Sequence, residues 1–174
     1  GGGALNVKLN QKILGLPYVK ELFVQPAASD AGTAVGAASF ASWKRGVHPA
    51  KMDHVYLGPK YSTDECIDAC ESHPEHPVYE KLGNIVERAA QLLNEGNPVA
   101  WCQGRMEFGP RALGGRSILG SPSYRGIANK INEQIKFRER WRPFCPSVLD
   151  TVAQDMIQTD HPAPYMTITF EVSE

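Results

Sequence analysis

Apolar residues recur at helical spacing in three stretches of the chain. Leu5, Leu9, Ile13 and Leu14 share one stripe, and Gly15 with Pro17 ends it. Leu82, Ile85, Val86, Ala89, Leu92 and Leu93 mark a second amphipathic helix, stopped at Gly96. Ile127, Ile131 and Ile135 stand four apart in a third, which runs from Ser123 to Ile135. The Ala- and Gly-rich run from Ala31 to Lys44 predicts a tightly packed helix. Ser62 or Thr63, followed by Asp64 and Glu65, predicts another helix start, because the hydroxyl caps free N–H groups and the acids suit the helix dipole. Short strands are predicted at Glu21–Gln25, at Val99–Gln103 as a buried strand, and at Tyr165–Val172 from its alternation. Pro49, Gly58 and Pro59 place a boundary within 47–62, and His73–Pro77 is a loop. The whole reads as α/β.

Bulk properties narrow this picture without redirecting it. A chain of 174 residues has room for one domain or two small ones, and 42% hydrophobic residues permit a sizeable core. A net charge of −1 gives no global steering toward nucleic acid or membrane. No apolar run approaches the roughly 20 residues that span a bilayer, and no basic-then-apolar leader is visible, so the expected location is cytoplasmic. Cys66, Cys70, Cys102 and Cys145 are irregularly spaced and read as free thiols. The triple glycine at the start and the strand without a visible partner at the end read as a fragment of a larger protein.

Charge is concentrated in one place. From Gly104 to Arg142 there are nine Lys or Arg against three acids, a local balance of +6 that leaves −7 for the rest. This points to a local anion site more than to a general polyanion surface. Within it, Gly104–Ile118 interleaves Arg105, Arg111 and Arg116 with glycines and Pro110. Glycine admits close backbone approach, and arginine offers a fork of donors to phosphate or carboxylate. Pro110 at a first helical position would also aim backbone N–H groups at an anion; the bland alternative is a solvated surface turn. Lys136–Arg142 carries four cations in seven residues. If the helix continues, Phe137 and Trp141 pack inward and Lys136 shares a face with Arg140; otherwise the run is a solvated helix end.

Three weaker signals complete the reading. Cys66, Cys70, His73 and His76 offer zinc-type ligands, but at a spacing that fits no common finger. Cys102 belongs to the core, and Cys145 lacks a histidine partner for a nucleophilic role. Gly1–Asn6 precedes a helix and could cradle a phosphate, while Asp30 could ligate a metal or cap the next helix.

The segment Gly104-Arg-Met-Glu-Phe-Gly-Pro-Arg-Ala-Leu-Gly-x-Arg-Ser-Ile118, with Asn132-Glu-x-Ile-Lys-Phe-Arg-Glu139 and Arg142-Pro-Phe-x-Pro-Ser-Val148, strongly resembles the O-carbamoyltransferases of the NodU and antibiotic-biosynthesis type. Gly2-Gly-Ala-Leu-Asn6 and Gln25-Pro-Ala-Ala-Ser-Asp-Ala-Gly-Thr-Ala34 match the same family upstream. The resemblance implies a remnant of an actin-like (sugar-kinase-type) domain at residues 1–48 and part of a YrdC-like mixed α/β domain at 55–174. It implies that the parent forms carbamoyl adenylate from carbamoyl phosphate and ATP and passes the carbamoyl group to a small-molecule hydroxyl acceptor. It further implies carbamoyl phosphate contacts from Lys136 and Arg142, a catalytic Arg111 over the reacting groups, nucleotide contacts from Gly2, Gly3 and Asn6, and Asp30 as the last ligand of a divalent metal, iron or magnesium. The chain has a third glycine where the family has Gly-Gly-Val. The partners implied are the remainder of the parent chain and a homodimeric copy, with no membrane. An RNA-binding YrdC-like module and a catalytically silent fragment are the rival readings.

Overall fold

The computed structural model describes residues 1–157, 159 and 161–172. Among them the order is α1 (Val7–Leu14), α2 (Asp30–Lys44), α3 (Thr63–Ser72), α4 (Ile85–Asn94), β1 (Val99–Cys102), β2 (Arg116–Leu119), α5 (Ile127–Gln134) and α6 (Asp150–Ile157). The protein is thus mixed α/β, with six helices and one two-stranded sheet among the described residues. Two compact units divide it. One comprises Gly1–Leu57, Glu107–Leu113 and the segment from Cys145 onward; the other comprises Gly58–Met106 and Gly114–Phe144.

In the first unit, Asn6 stops the predicted Leu5–Leu14 helix short by becoming its cap: its Oδ1 accepts the Leu9 N–H at 3.1 Å. The one buried residue of α1 is polar, and Val7, Gln11, Ile13 and Leu14 are half-buried. Leu9 is 43% exposed, whereas Asn10 is buried. Asn10 Nδ2 donates to the carbonyls of Ala4 and Thr167, both at 2.8 Å. Thr169 Oγ1 lies 3.1 Å from Gln11 Oε1, and the buried Tyr165 donates its hydroxyl to the Met52 carbonyl at 3.2 Å. The expected strand at Tyr165–Val172 is therefore absent. Its alternation survives only as burial of Tyr165 and Thr167, because Met166 at φ 54° leaves the extended region. Glu21–Gln25 is not a strand either; no partner pairs with it, and a lone strand has nothing to satisfy its backbone. Val24, Ala27, Val55 and Tyr165 form the apolar core here.

The predicted Ala/Gly helix is present as α2 but is not tightly packed, since none of its residues is buried. Only its first turns press on a neighbour: a Cβ on Gly32 would collide with the Ala27 carbonyl oxygen. Its far end is closed locally, with Phe40 and Trp43 6.0 Å apart and Lys44 Nζ over both rings at 5.5 and 5.9 Å. Helix α6, which the apolar pattern did not mark, carries no buried residue.

The second unit is organised on β1 and β2, antiparallel with Val99 opposite Leu119 and Cys102 opposite Arg116. β1 is only half-buried, on its Val99 and Trp101 side, so Cys102 is exposed and not the core residue expected. An isolated pair of strands is marginal in water; α4 packs on β1, and Ile127 and Ile131 of α5 close over Gly120. The ring of Tyr124 fills the space a side chain at Gly96 would need, and Lys130 Nζ donates to the Gly96 carbonyl at 3.0 Å. Asn84 caps α4 through the Glu87 N–H, so that helix starts three residues after Leu82. Ser62 caps α3 in a reciprocal box with Glu65. The Glu65 carboxylate accepts from the Ser62 N–H at 2.7 Å and from the Ser62 hydroxyl at 2.9 Å, and these two bonds, backbone first, hold its pKa below the ordinary value.

Candidate functional site

The cations of Lys136–Arg142 sit on a loop rather than on a continued helix. Helix α5 ends at Gln134, and the next N–H groups reach back further than a helix allows: Lys136 to the Ile131 carbonyl at 2.9 Å and Arg138 to the Asn132 carbonyl at 2.9 Å. Between them Phe137 has φ 47°, a left-handed conformation that costs a bulky residue on the order of 1–3 kcal/mol. Phe137 and Trp141 are consequently 84% and 75% exposed, not packed inward as helical spacing implied.

One side chain holds this loop. Asn132 is fully buried (0% exposed), and its Nδ2 donates to the carbonyls of Arg142 at 3.0 Å and Arg140 at 3.3 Å. Its Oδ1 accepts from Arg138 Nε at 2.6 Å, and the Arg138 guanidinium lies 4.8 Å over the Phe144 ring. Arg138 is thereby structural. Arg140 pairs with Glu133, and Arg142 with Glu139 at 3.2 Å while leaning over Trp141 at 5.8 Å. Lys136 makes no ion pair with any described residue. Glu133, Phe137, Arg138 and Glu139 line an open cleft of about 540 Å³. The loop thus presents one unpaired ammonium and one guanidinium whose partner is an exposed, exchangeable carboxylate.

The Gly104–Ile118 motif is divided between the two units. Its outer parts lie in the second unit. There Arg105 Nε donates to the Gly58 carbonyl at 2.9 Å, and one Arg116 nitrogen donates to the carbonyls of Gln103 at 2.9 Å and Gly115 at 2.7 Å. These two arginines support their own loop. Gly104 and Gly114 at φ 58° and 102° turn the chain where other residues would be strained.

The middle of the motif, Glu107–Leu113, lies in the first unit. Phe108 N–H bonds the Val55 carbonyl at 2.6 Å, Tyr56 donates its hydroxyl to the Leu113 carbonyl at 2.6 Å, and Glu107 Oε1 accepts the Leu113 N–H at 2.9 Å. Gly109–Pro110 is not a helix start, so the expected helix N-terminus for an anion is absent; Gly109 at φ 122° turns the chain beside Pro26 and Ala27 instead. Arg111 rides on this anchored loop, exposed and without a hydrogen bond or ion pair among the described residues. Its charge is felt by the Cys145 thiol, which burial pushes up in pKa and Arg111 draws partly back.

The other first-unit residues lie on neighbouring loops. Gly1–Asn6 is a pair of turns, Leu5 N–H to Gly1 and Asn6 N–H to Gly3, and the Gly1 amine donates to the Ala28 carbonyl. Asp30 opens α2 with its side chain exposed, and Ser29 makes no capping bond, so the cap role does not account for Asp30. In the same unit Gln25, Ala27, Ser29, Gly32, Thr33 and Gly36 line part of an open groove of about 350 Å³. Gln25 Oε1 accepts the Ala27 N–H at 2.5 Å, but its buried Nε2 has no partner.

Gly2, Gly3, Asn6, Asp30 and Arg111 therefore belong to one unit, and Lys136 and Arg142 to the other. No group of three metal-ligating side chains exists among the described residues. Asp30 alone does not make a metal site. The four cysteines are free, and His73 Nδ1 accepts the Glu75 N–H, so the Cys/His cluster forms no centre. No described helix is long and apolar enough to cross a membrane.

Two family models match the chain. The model for the carbamoyltransferase N-terminus covers residues 1–39, and that for the carbamoyltransferase C-terminus covers residues 90–174. Among curated relatives, an uncharacterized protein of Synechocystis sp. is 40% identical over 183 residues, which is all of this chain and 30% of that protein. Nodulation protein NolNO of Sinorhizobium fredii is 38% identical over 180 residues, all of this chain and 26% of that protein. Nodulation protein NolO of Bradyrhizobium diazoefficiens is 37% identical over 181 residues, all of this chain and 33% of that protein. The chain spans a third or less of the length of these relatives.

Proposed function

Since this chain belongs to the carbamoyltransferase family, we propose that its second unit contributes a carbamoyl phosphate site to an ATP-dependent O-carbamoyltransferase, with Lys136 and Arg142 as the phosphate-binding pair. The observation that carries this reading is the Lys136–Arg142 loop: an unpaired ammonium and a loosely paired guanidinium, held on backbone that a buried side chain fixes. Lys136 supplies a point charge and Arg142 a two-pronged clamp, which together suit a phosphate dianion.

In this reading water first cleaves phosphate from carbamoyl phosphate to leave carbamate, and in the parent enzyme a carbamate oxygen then bonds the α-phosphorus of ATP as the bond to pyrophosphate breaks, which gives carbamoyl adenylate. The acceptor hydroxyl oxygen then bonds the carbamoyl carbon, the bond to AMP breaks, and the hydroxyl proton is lost. Joining two polyanions concentrates negative charge, and fixed cations offset it while keeping the reactants aligned. Arg111, exposed on an anchored loop, serves as that charge-stabilising group; Gly2, Gly3, Asn6 and Asp30 belong to the nucleotide and transfer side of the same chemistry.

Calorimetric titration of the chain with carbamoyl phosphate, with inorganic phosphate as control, tests the reading. Saturable binding that disappears in the double variant Lys136→Gln, Arg142→Ala supports it; no heat with either ligand overturns it. A second reading draws on one observation, the exposed rings of Phe137 and Trp141 among these cations. They could stack single-stranded RNA bases. RNA affinity falling steeply between two salt concentrations, with no carbamoyl phosphate binding, favours that alternative. A chain that binds neither is a catalytically silent fragment.

A further inference from the structure

We propose that Asn132, a residue with no ligand role in the resemblance above, is the positioning residue of the anion site. It sets the spacing and direction of Lys136 and Arg142 without touching the ligand. The inference rests on the carbamoyl phosphate reading of that loop.

Asn132 is buried at 0% exposure in the last turn of α5 and uses its amide in both senses. The NH₂ group clasps two carbonyls, those of Arg140 and Arg142, so the backbone on either side of Trp141 is drawn to one point. The oxygen takes Arg138 Nε, and the backbone carbonyl of the same residue takes the Arg138 N–H at 2.9 Å. Four bonds from one residue thus fix the loop between Lys136 and Arg142. No other side chain of similar size does this job: leucine is isosteric but has neither donor nor acceptor, and aspartate has no donor.

Phe137 gives independent support. Its left-handed backbone is unfavourable for a bulky side chain, and its exposed ring gains little from burial there. Such a conformation persists only where the surroundings impose it. The 131–136 and 132–138 backbone bonds flank it, and Asn132 makes the second of these. On either side of this strained residue, Arg138 lies in the Asn132 clasp, while Lys136 makes no ion pair with any described residue.

The test uses Asn132→Ala and the isosteric Asn132→Asp, which keeps the bond to Arg138 but loses both carbonyl clasps. Amide hydrogen exchange should accelerate by about tenfold or more at Arg138 and Arg142, while β1 and β2 stay protected; this follows from losing hydrogen bonds to a buried amide. Carbamoyl phosphate affinity should fall by about tenfold in both variants, well below their melting temperatures. A merely structural role would lower thermal stability and leave the affinity of the folded chain unchanged. Combining Asn132→Ala with Arg142→Ala separates the two: a positioning residue acts through Arg142, so the double variant should be little worse than Arg142→Ala alone. Fully additive losses overturn the proposal, as does unchanged exchange at Arg138 and Arg142. If Asn132→Ala does not fold, Asn132→Asp carries the same comparison. A wild-type chain that binds no carbamoyl phosphate defeats the reading of the site itself, whereas wild-type binding that survives intact in Asn132→Asp defeats only the role of Asn132.

Discussion

The Lys136–Arg142 loop and the Glu107–Leu113 loop carry the two sets of cations assigned to chemistry, and they are built in opposite ways. In the first, one buried amide grips the backbone and most cations are already engaged: Arg138 with Asn132, Arg140 with Glu133, Arg142 with Glu139. In the second, an acid, a tyrosine hydroxyl and a backbone carbonyl hold the loop, and its one arginine is left over. A count of positive charges would rank the first loop as the stronger site. The hydrogen bonds show instead that three of its four cations have protein partners. The cations proposed to meet a ligand, Lys136, Arg142 and Arg111, are those that no buried protein group engages.

That contrast can be broken by experiment. Arg111→Ala, in an enzyme carrying this chain at the length of its relatives, should lower turnover by about 10²–10³, with carbamoyl phosphate affinity within about twofold of wild type. Steady-state kinetics paired with calorimetry separates the two effects, and equal loss in both would merge the loops into one role. Arg142→Ala should do the reverse, weakening carbamoyl phosphate about tenfold to a hundredfold through loss of a charge-assisted clasp. Arg116→Met should cost about 1 kcal/mol of stability, because its guanidinium donates to one exposed and one part-buried carbonyl. Thermal melting would show this, and anion affinity should not change. Glu139→Gln should tighten anion binding by at most about fivefold, since the pair it breaks is exposed on both sides and such pairs contribute less than about 1 kcal/mol.

The smallest effect is a pH shift at Cys145. Burial raises its thiol pKa, so the neutral thiol is favoured in the folded chain and the thiolate appears later as pH rises. Alkylation of Cys145 should therefore show a higher midpoint than that of a cysteine in a short unstructured peptide. Arg111 opposes the rise, so Arg111→Ala should move the midpoint upward again. A downward shift would mean that Arg111 does not face the thiol.

Much of the local structure was legible in the sequence, because apolar periodicity and capping chemistry act over a few residues. Helix α3 begins where Ser62 and Glu65 said it would, and α4, β1 and α5 fall on their apolar runs. What escaped is decided elsewhere. β2 was hidden because Arg116–Leu119 lies inside a Gly/Arg motif and becomes a strand only by pairing with β1. Phe137 and Trp141 stand at helical spacing, yet the helix has ended by then, so spacing pointed both rings the wrong way. Asn132 was visible as a polar residue beside an isoleucine stripe, but its partners lie on backbone that only the folded loop brings near. The motif proposed the site cations; which of them pair with carboxylates it could not show, since ion pairing depends on the turn after Gln134.

Asn10 has a consequence for the order of assembly. Its amide joins the Ala4 carbonyl to that of Thr167, a contact between residues 157 apart in sequence. Closing so large a span is slow compared with local pairing. The second unit draws only on Gly58–Met106 and Gly114–Phe144. During synthesis it can therefore acquire its sheet and helices while α1 still waits for Thr167 to emerge. Until then Asn10 keeps one of its two carbonyl partners missing.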